Sequence, residues 1–268
     1  MSLVKVSANT SGTGVFTVIS PNSNTDRTLI LPDATDTLVG TTATQTLSNK
    51  TLTTPAVTGS LSIDGNNVSP VQSFRNKIIN GNFDYWQRST SSSTAGYIDD
   101  RWQTARTGST FTTSRQAFTL GQTAVPNEPT YFHRTVVTTS AGAGNYVLFE
   151  QRIESVRTLA GQTATLSFWA KADASKNMAV EFVQSFGTGG SPSSAVTGIG
   201  VTTCALTTTW TKFTITVNVT SISGKTLGSN NDDLFDVVFW LDAGSTYNSR
   251  TNSLGQQSGT FDIAQVQL

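Results

Sequence analysis

Cysteine is almost missing from this chain of 268 residues. Cys204 stands alone, which excludes an intramolecular disulfide and any cysteine-based zinc site. Stability has to come from burial and assembly instead. Charge is scarce as well: charged residues make up 13% of the sequence, and seventeen basic side chains balance seventeen acidic ones. No basic field is therefore available to hold nucleic acid or an anionic membrane. Long apolar runs are absent too. The stretch from Phe235 to Leu241 is interrupted by Asp236 and ends at Asp242, far short of a bilayer span, and the opening Met1-Ser2-Leu3-Val4-Lys5 lacks the hydrophobic region of a signal peptide. Histidine occurs once, at His133, with no Gly-x-Ser-x-Gly elbow, which argues against nucleophilic catalysis. The expectation is a soluble protein made in a cytoplasm, with no nucleic-acid partner and no membrane insertion.

What is present is unevenly spread. Residues 1–75 contain two aromatics, Phe16 and Phe74, whereas residues 76–268 contain the other twenty-two, all five tryptophans among them. A third of the first part is Thr or Ser, so it cannot build a globular core alone. A Thr-Leu pair recurs at Thr28-Leu29, Thr37-Leu38 and Thr46-Leu47, nine residues apart each time, followed by Thr51-Leu52 and Ser60-Leu61. Short, turn-punctuated β units with an uncovered apolar side belong to fibrous or repeat folds, in which neighbouring units or chains complete the core. Residues 1–75 read as an extended shaft or attachment region, with a flexible Thr/Ser-rich linker as the alternative. The runs Val15-Phe16-Thr17-Val18-Ile19 and Leu29-Ile30-Leu31 favour the shaft.

From Asn76 onward the sequence alternates with a period of two and shows no sustained helical period. Ala164, Leu166, Phe168 and Ala170 fall on one face of a strand, and Thr165, Ser167, Trp169 and Lys171 on the other. Phe213, Ile215, Val217 and Val219 form a second apolar stripe, and Phe235, Val237, Phe239 and Leu241 a third. Further strands are expected at Ile78 to Trp86, Tyr131 to Val137, Tyr146 to Ile153, Met178 to Phe186 and Thr260 to Leu268. About eight to ten strands between Gly, Ser, Asn and Pro turns predict an all-β chain whose residues 76–268 form an antiparallel β-sandwich or jelly roll.

Three tryptophans fall on polar parities: Trp169 with Ser167 and Lys171, Trp240 with Asp236 and Asp242, and Trp210 with Lys212 and Thr214. Large rings facing away from a core need a partner, either the apolar face of a sugar or a neighbouring subunit. Tyr247, Asn248 and Arg250, in the polar loop 244–258, are candidates for variable recognition, because loops at the ends of a sandwich carry specificity on a fixed frame. Glycoside cleavage would need two carboxylates across a sugar-sized cleft. The candidates are Asp99, Asp100, Glu150, Glu154, Glu181, Asp232, Asp233, Asp236 and Asp242. Most of them lie in turns or on polar strand faces, which predicts solvated surface carboxylates. His133 reads as a hydrogen-bonded structural residue and Cys204 as a small buried hydrophobe.

The segment Asn76-Lys77-Ile78-Ile79-Asn80-Gly81-Asn82-Phe83-Asp84-Tyr85-Trp86-Gln87-Arg88 resembles the start of a recurring C-terminal domain of bacteriophage tail fibres and similar virion proteins. Tyr97-Ile98-Asp99-Asp100-Arg101-Trp102 follows at the spacing of that family, and the runs Leu166 to Ala172 and Phe261 to Leu268 match two more of its segments. Within residues 1–75, Thr28 to Gly40 and Thr46 to Pro55 resemble low-complexity stretches of tail fibres. The resemblance implies a homotrimeric fibre with a jelly roll similar to carbohydrate-binding modules. Such a chain is a structural virion protein of the phage tail, made in the host cytoplasm. It is joined to other tail or baseplate proteins through residues 1–75 and attaches to a host-surface polysaccharide or lipopolysaccharide. With catalytic groupings absent, no enzyme is expected; a purely structural connector and a depolymerase tailspike are the rival readings.

Because Trp169 lies in a family-like segment, trimer packing or local structure outweighs sugar stacking for it, while Trp210 and Trp240 divide between sugar and trimer packing. Trp86 and Trp102 are expected as core or interface anchors. The resemblance also implies a calcium site, in which an Asn-Gly-x-Phe-Asp first strand lies near a final strand carrying Asp. Here these carboxylates are Asp84 and Asp262, hard oxygen ligands of the kind calcium takes; no other cofactor is expected. Relatives continue past the closing strand whereas this chain stops at Leu268, so either a shortened chain or a missing last segment is expected.

Overall fold

The computed structural model describes residues 76–268 throughout and, of those before them, only 11–15, 17, 19, 22–26, 51, 61–63 and 66–68. The chain divides into two units, Met1–Gly59 and Ser60–Leu268. In the first, the described residues are exposed and lie outside regular secondary structure. The shaft expected over residues 1–75 otherwise lies outside the described residues. The second unit opens with a hairpin of β1 (Leu61–Ile63) and β2 (Asn66–Val68), in which Leu61 pairs with Val68.

Alternating side chains become strands from residue 91 onward. In chain order these are β3 (Ser91–Ser92), β4 (Gly96–Tyr97), β5 (Trp102–Thr107), β6 (Thr110–Ala117), β7 (Tyr131–Thr138) and β8 (Tyr146–Glu154). They are followed by β9 (Thr163–Ala172), β10 (Lys176–Ser185), β11 (Val196–Leu206), β12 (Thr211–Asn218), β13 (Leu234–Ala243) and β14 (Gly259–Gln267). They form two six-stranded sheets, sheet I in the order β12-β9-β14-β7-β6-β3 and sheet II in the order β11-β10-β13-β8-β5-β4. Every pairing is antiparallel. The chain passes repeatedly from one sheet to the other, giving an all-β sandwich of jelly-roll type. Among the described residues, helix is limited to a 3-10 turn (Ser245–Tyr247) and α1 (Asn248–Thr251), and no helix is long and apolar enough to cross a membrane.

The expected stripe on β9 is in place. Leu166, Phe168 and Ala170 are fully buried between the sheets, against Ile215 and Val217 of β12 and Phe235, Val237, Phe239 and Leu241 of β13. Trp102 stacks on Phe149 at 4.7 Å, and Phe168 meets Phe239 edge-on at 5.0 Å. Each such buried ring removes enough apolar area from water to contribute ~1.5–3 kcal/mol. Cys204 lies in the same core, and its burial pushes the thiol up to about 12.

Two expectations fail for local and non-local reasons respectively. Ile78 to Trp86 is not a strand. Asn80 and Phe83 take positive φ values of 54° and 58°, and the Asn80 side chain accepts from the Tyr85 N–H and donates to the Tyr85 carbonyl, closing a turn that breaks any ladder. Gly81 is required there, because a Cβ would strike the Val266 carbonyl of β14. The other failure is β13, expected to have one solvated face: nine of its ten residues are buried. It sits centrally between β10 and β8, and residues 244–257 fold back over its outer side.

Candidate functional site

The outer face of sheet II is ordered by register. One row runs Glu181, Val238, Glu150, Gln103 across β10, β13, β8 and β5. The next row places Val183, Asp236 and Arg152 side by side, and the row on the other flank is Ala179, Trp240, Leu148 and Ala105. Charged side chains from three separate strands thus meet on one surface, because residues two apart on a strand share a face.

A roof closes one end of this face. Gln257 donates to the Leu241 carbonyl, the Ala243 N–H donates to Gly255, and Leu254 and Tyr247 pack against Trp240, Leu148 and Ala179. Trp240 is consequently 1% exposed. Its Nε1 donates to Glu181 at 2.9 Å, its ring lies 5.0 Å from Tyr247 and 5.6 Å from Tyr146, and the Arg250 guanidinium sits 5.0 Å from it. Trp240 does point away from the core, as its parity predicts, but its partner is the chain's own loop. It is neither a sugar platform nor a subunit contact. Of the expected loop residues, Tyr247 and Arg250 join this cluster, and Asn248 is exposed beside them.

Beyond the roof the face opens into a groove of about 580 Å³ whose walls include Tyr146, Leu148, Glu150, Arg152, Asp236 and Arg250. That volume suits a small ligand or a short stretch of a longer one. Oε1 of Glu150 accepts from Gln103 Nε2 and from Arg152 Nε at 3.0 Å, and Arg152 Nε lies 4.0 Å from Asp236. Burial, then the Glu150 charge and a hydrogen bond with Glu150, push the Asp236 carboxyl well above the usual carboxylate range. Its Oδ1 is buried and finds no donor. Glu181, by contrast, is saturated by Trp240, Arg250 and the Gly198 N–H. The expectation of solvated carboxylates is overturned here: Glu150, Glu181, Asp236, Asp242 and Asp99 are all buried. The alternation Glu150, Arg152, Glu154 on β8 was the legible signal of a charged face.

The remaining candidates lie elsewhere. Trp169 and Trp210 are half-buried on the outer side of sheet I, where Trp210 packs on Phe118 at 5.3 Å and Phe132 at 5.2 Å beneath Lys171. Asp262 is on that same side, and its two oxygens accept from Arg134 Nε at 2.7 Å and Nη2 at 2.8 Å, with Lys171 at 3.6 Å. One guanidinium already bonds both oxygens that calcium would need, and a second cation stands beside them. Asp84 lies by a different hollow, near Gly81 and Val266, where partial burial raises its pKa against the pull of Arg115. The residues do not fit the expected calcium site, and among the described residues no group of three or more His, Cys, Asp or Glu is placed to hold a metal. His133 is fully buried between Asp99 at 2.9 Å and the hydroxyls of Thr113 and Thr135, stacked on Phe149.

No protein-family model and no curated protein matches this chain. Among solved structures it is similar to a family 11 carbohydrate-binding module from Clostridium thermocellum, in complex with a β-1,3-1,4-mixed-linked tetrasaccharide. The identity is 12%, over 66% of this chain and 92% of that one, with a TM-score of 0.37. It is similar also to the N-terminal cellulose-binding domain of Cellulomonas fimi β-1,4-glucanase C, at 16% identity over 67% and 93% of the two chains and a TM-score of 0.37. A third likeness is to the CBM22-1 xylan-binding domain from Paenibacillus barcinonensis Xyn10C, at 13% identity over 66% and 90% and a TM-score of 0.34. With TM-scores below 0.5 these likenesses carry no argument about this chain, and the β-sandwich rests on its own strand pairings.

Proposed function

We propose that this chain is the receptor-binding part of a bacteriophage tail fibre, which attaches the virion to its host by holding a surface glycan in the sheet II groove without cleaving it. One observation carries the reading: an open groove in which Glu150, Arg152, Asp236 and Arg250 line up beside Tyr146 and Leu148. Sugar hydroxyls are met by planar carboxylates and guanidinium groups, and the apolar face of the ring by aromatic and aliphatic walls. The unpartnered Asp236 oxygen is a buried polar group awaiting a donor. The phage context rests on the four ordered sequence segments. The first two also interlock, since Asn80 Nδ2 donates to the Asp100 carbonyl and Phe83 packs on Trp102 at 5.4 Å.

Carboxyl geometry favours binding over cleavage. Glycosidases hold their two carboxyl groups about 5–9.5 Å apart across the scissile bond. Oε1 of Glu150 is instead held by Gln103 and Arg152, the same Arg152 stands 4.0 Å from Asp236, and both oxygens of Glu181 have donors. Calorimetry of the full-length protein with extracted host polysaccharide tests the reading. Saturable binding is expected, weakened about tenfold or more in Arg152→Ala through loss of charge-assisted hydrogen bonds, with no new reducing ends. Absent binding would favour a structural connector, and released oligosaccharide would overturn the non-enzymatic part. Assembly as a homotrimer on the virion, with residues 1–75 holding other tail proteins, belongs to the same proposal. Sedimentation at three protomer masses is its expected outcome.

A further inference from the structure

The hollow between residues 79–88 and the β4–β5 turn belongs to no role assigned so far. It measures about 690 Å³ and is lined by Ile79, Tyr85, Arg88, Tyr97, Asp100 and Arg101 among others. Three of these are large apolar or aromatic side chains left open to water, Tyr85 at 66%, Ile79 at 52% and Tyr97 at 39% exposure. Exposed rings on a frayed loop would mean little, but this loop is clamped. The Gln151 amide brackets Ile79, accepting from its N–H and donating to its carbonyl at 2.8 Å each. Asn80 ties Tyr85 to Asp100, and the Asp100 N–H donates to the Tyr85 carbonyl. The rings are presented on a fixed frame, which limits the ordering entropy a ligand would have to offset.

The charges around the rings are unevenly matched. Arg88 makes no hydrogen bond or ion pair among the described residues. Arg101 pairs with Glu154 through Nη2, while its Nε is buried without an acceptor. Asp100 is the one acid lining the hollow, and with Arg101 matched by Glu154 the guanidinium left without a partner is that of Arg88. An exposed apolar and aromatic wall beside the unpaired Arg88 guanidinium matches a ring-shaped ligand carrying an anion. The hollow is also continuous with the groove, since Tyr97 and Arg101 line an intermediate hollow with Arg152 and Leu234, and both of the latter line the groove itself.

We infer that this hollow is a second saccharide subsite, which takes a sugar unit bearing a carboxylate or phosphate. The inference rests on the glycan reading of the groove and extends it to an anionic polymer lying across sheet II. The sugar ring packs on Tyr85 and Tyr97, and its anion is held by Arg88.

The test is calorimetry of the full-length protein with trigalacturonate, galactose 6-phosphate and, as the neutral counterparts, galactotriose and galactose. At least one anionic probe is expected to bind about fivefold or more tightly than its neutral counterpart. That preference should vanish in Arg88→Ala and in Tyr85→Ala, with the melting temperature unchanged because both side chains are exposed. Which anionic probe is preferred distinguishes a uronic acid from a phosphosugar. No preference for either anion, or a preference that survives Arg88→Ala, overturns the subsite. In that event host-polysaccharide binding that remains sensitive to Arg152→Ala leaves the groove standing, and loss of both removes both readings.

Discussion

The two outer faces of the sandwich solve the same problem differently. On sheet I the buried carboxylate, Asp262, is gripped by Arg134 through two hydrogen bonds and approached by Lys171, and Thr165 of β9 with Thr214 and Thr216 of β12 on the same face are solvated. Its desolvation is compensated on the spot. On sheet II three buried carboxylates, Glu150, Glu181 and Asp236, share Arg152 and Arg250, and Asp236 keeps an oxygen without a donor. A face whose polar demand is met is structural, and one whose demand is left open inside a groove is where a ligand is worth seeking.

Stability of the two faces offers the strongest way to break that comparison. Trp240→Ala removes a fully buried ring together with the anchor of the roof, and a loss of about 3–5 kcal/mol in urea denaturation is expected. Trp169→Ala, half-buried on sheet I, should cost about 1 kcal/mol. Equal losses would mean that the roof holds nothing in place.

The next effect is a pH dependence centred on Asp236 of sheet II. A carboxyl whose pKa is raised on folding binds its proton more tightly in the native state, so its contribution is fully present below the unfolded carboxylate pKa and is lost as pH rises through the raised value. Asp236, raised by burial and by Glu150, should therefore make the protein lose stability with rising pH. In Asp236→Asn, which keeps the shape without the titration, the profile should flatten. A profile identical to that of the unaltered protein in denaturation at several pH values would reassign the dependence.

The smallest effect is at the rim. The Arg101–Glu154 pair is largely exposed, with the Glu154 side chain 75% accessible, and Arg101 holds its carboxyl below the usual range. Glu154→Gln should change stability by less than about 0.5 kcal/mol. A larger loss, read by the same denaturation, would make the rim part of the structural frame.

Much of the frame was legible. The stripe Leu166, Phe168, Ala170 predicts both the strand and its buried face, His133 reads correctly as hydrogen-bonded and Cys204 as buried. Trp240 was half legible: alternation gives its direction, while its cover comes from Leu254 and Tyr247, which no period of two reveals. The groove was least legible, because Glu150, Glu181 and Asp236 each look like an ordinary polar-face acid on their own strand. Asp262 likewise reads as a calcium ligand until β14 is set beside β7 and Arg134.

By itself, then, the amino-acid sequence determined an all-β chain from residue 76 onward, the apolar stripes that fill its core, and the lack of disulfide or cysteine-metal support. These follow from side-chain periodicity and composition, which are local. Only the tertiary structure decided which strands are neighbours, and with them the meeting of three acids from β8, β10 and β13, the roof over Trp240 and the clamp on Tyr85. Register and loop cover join residues far apart in the chain, and such contacts leave no mark on any short window of sequence.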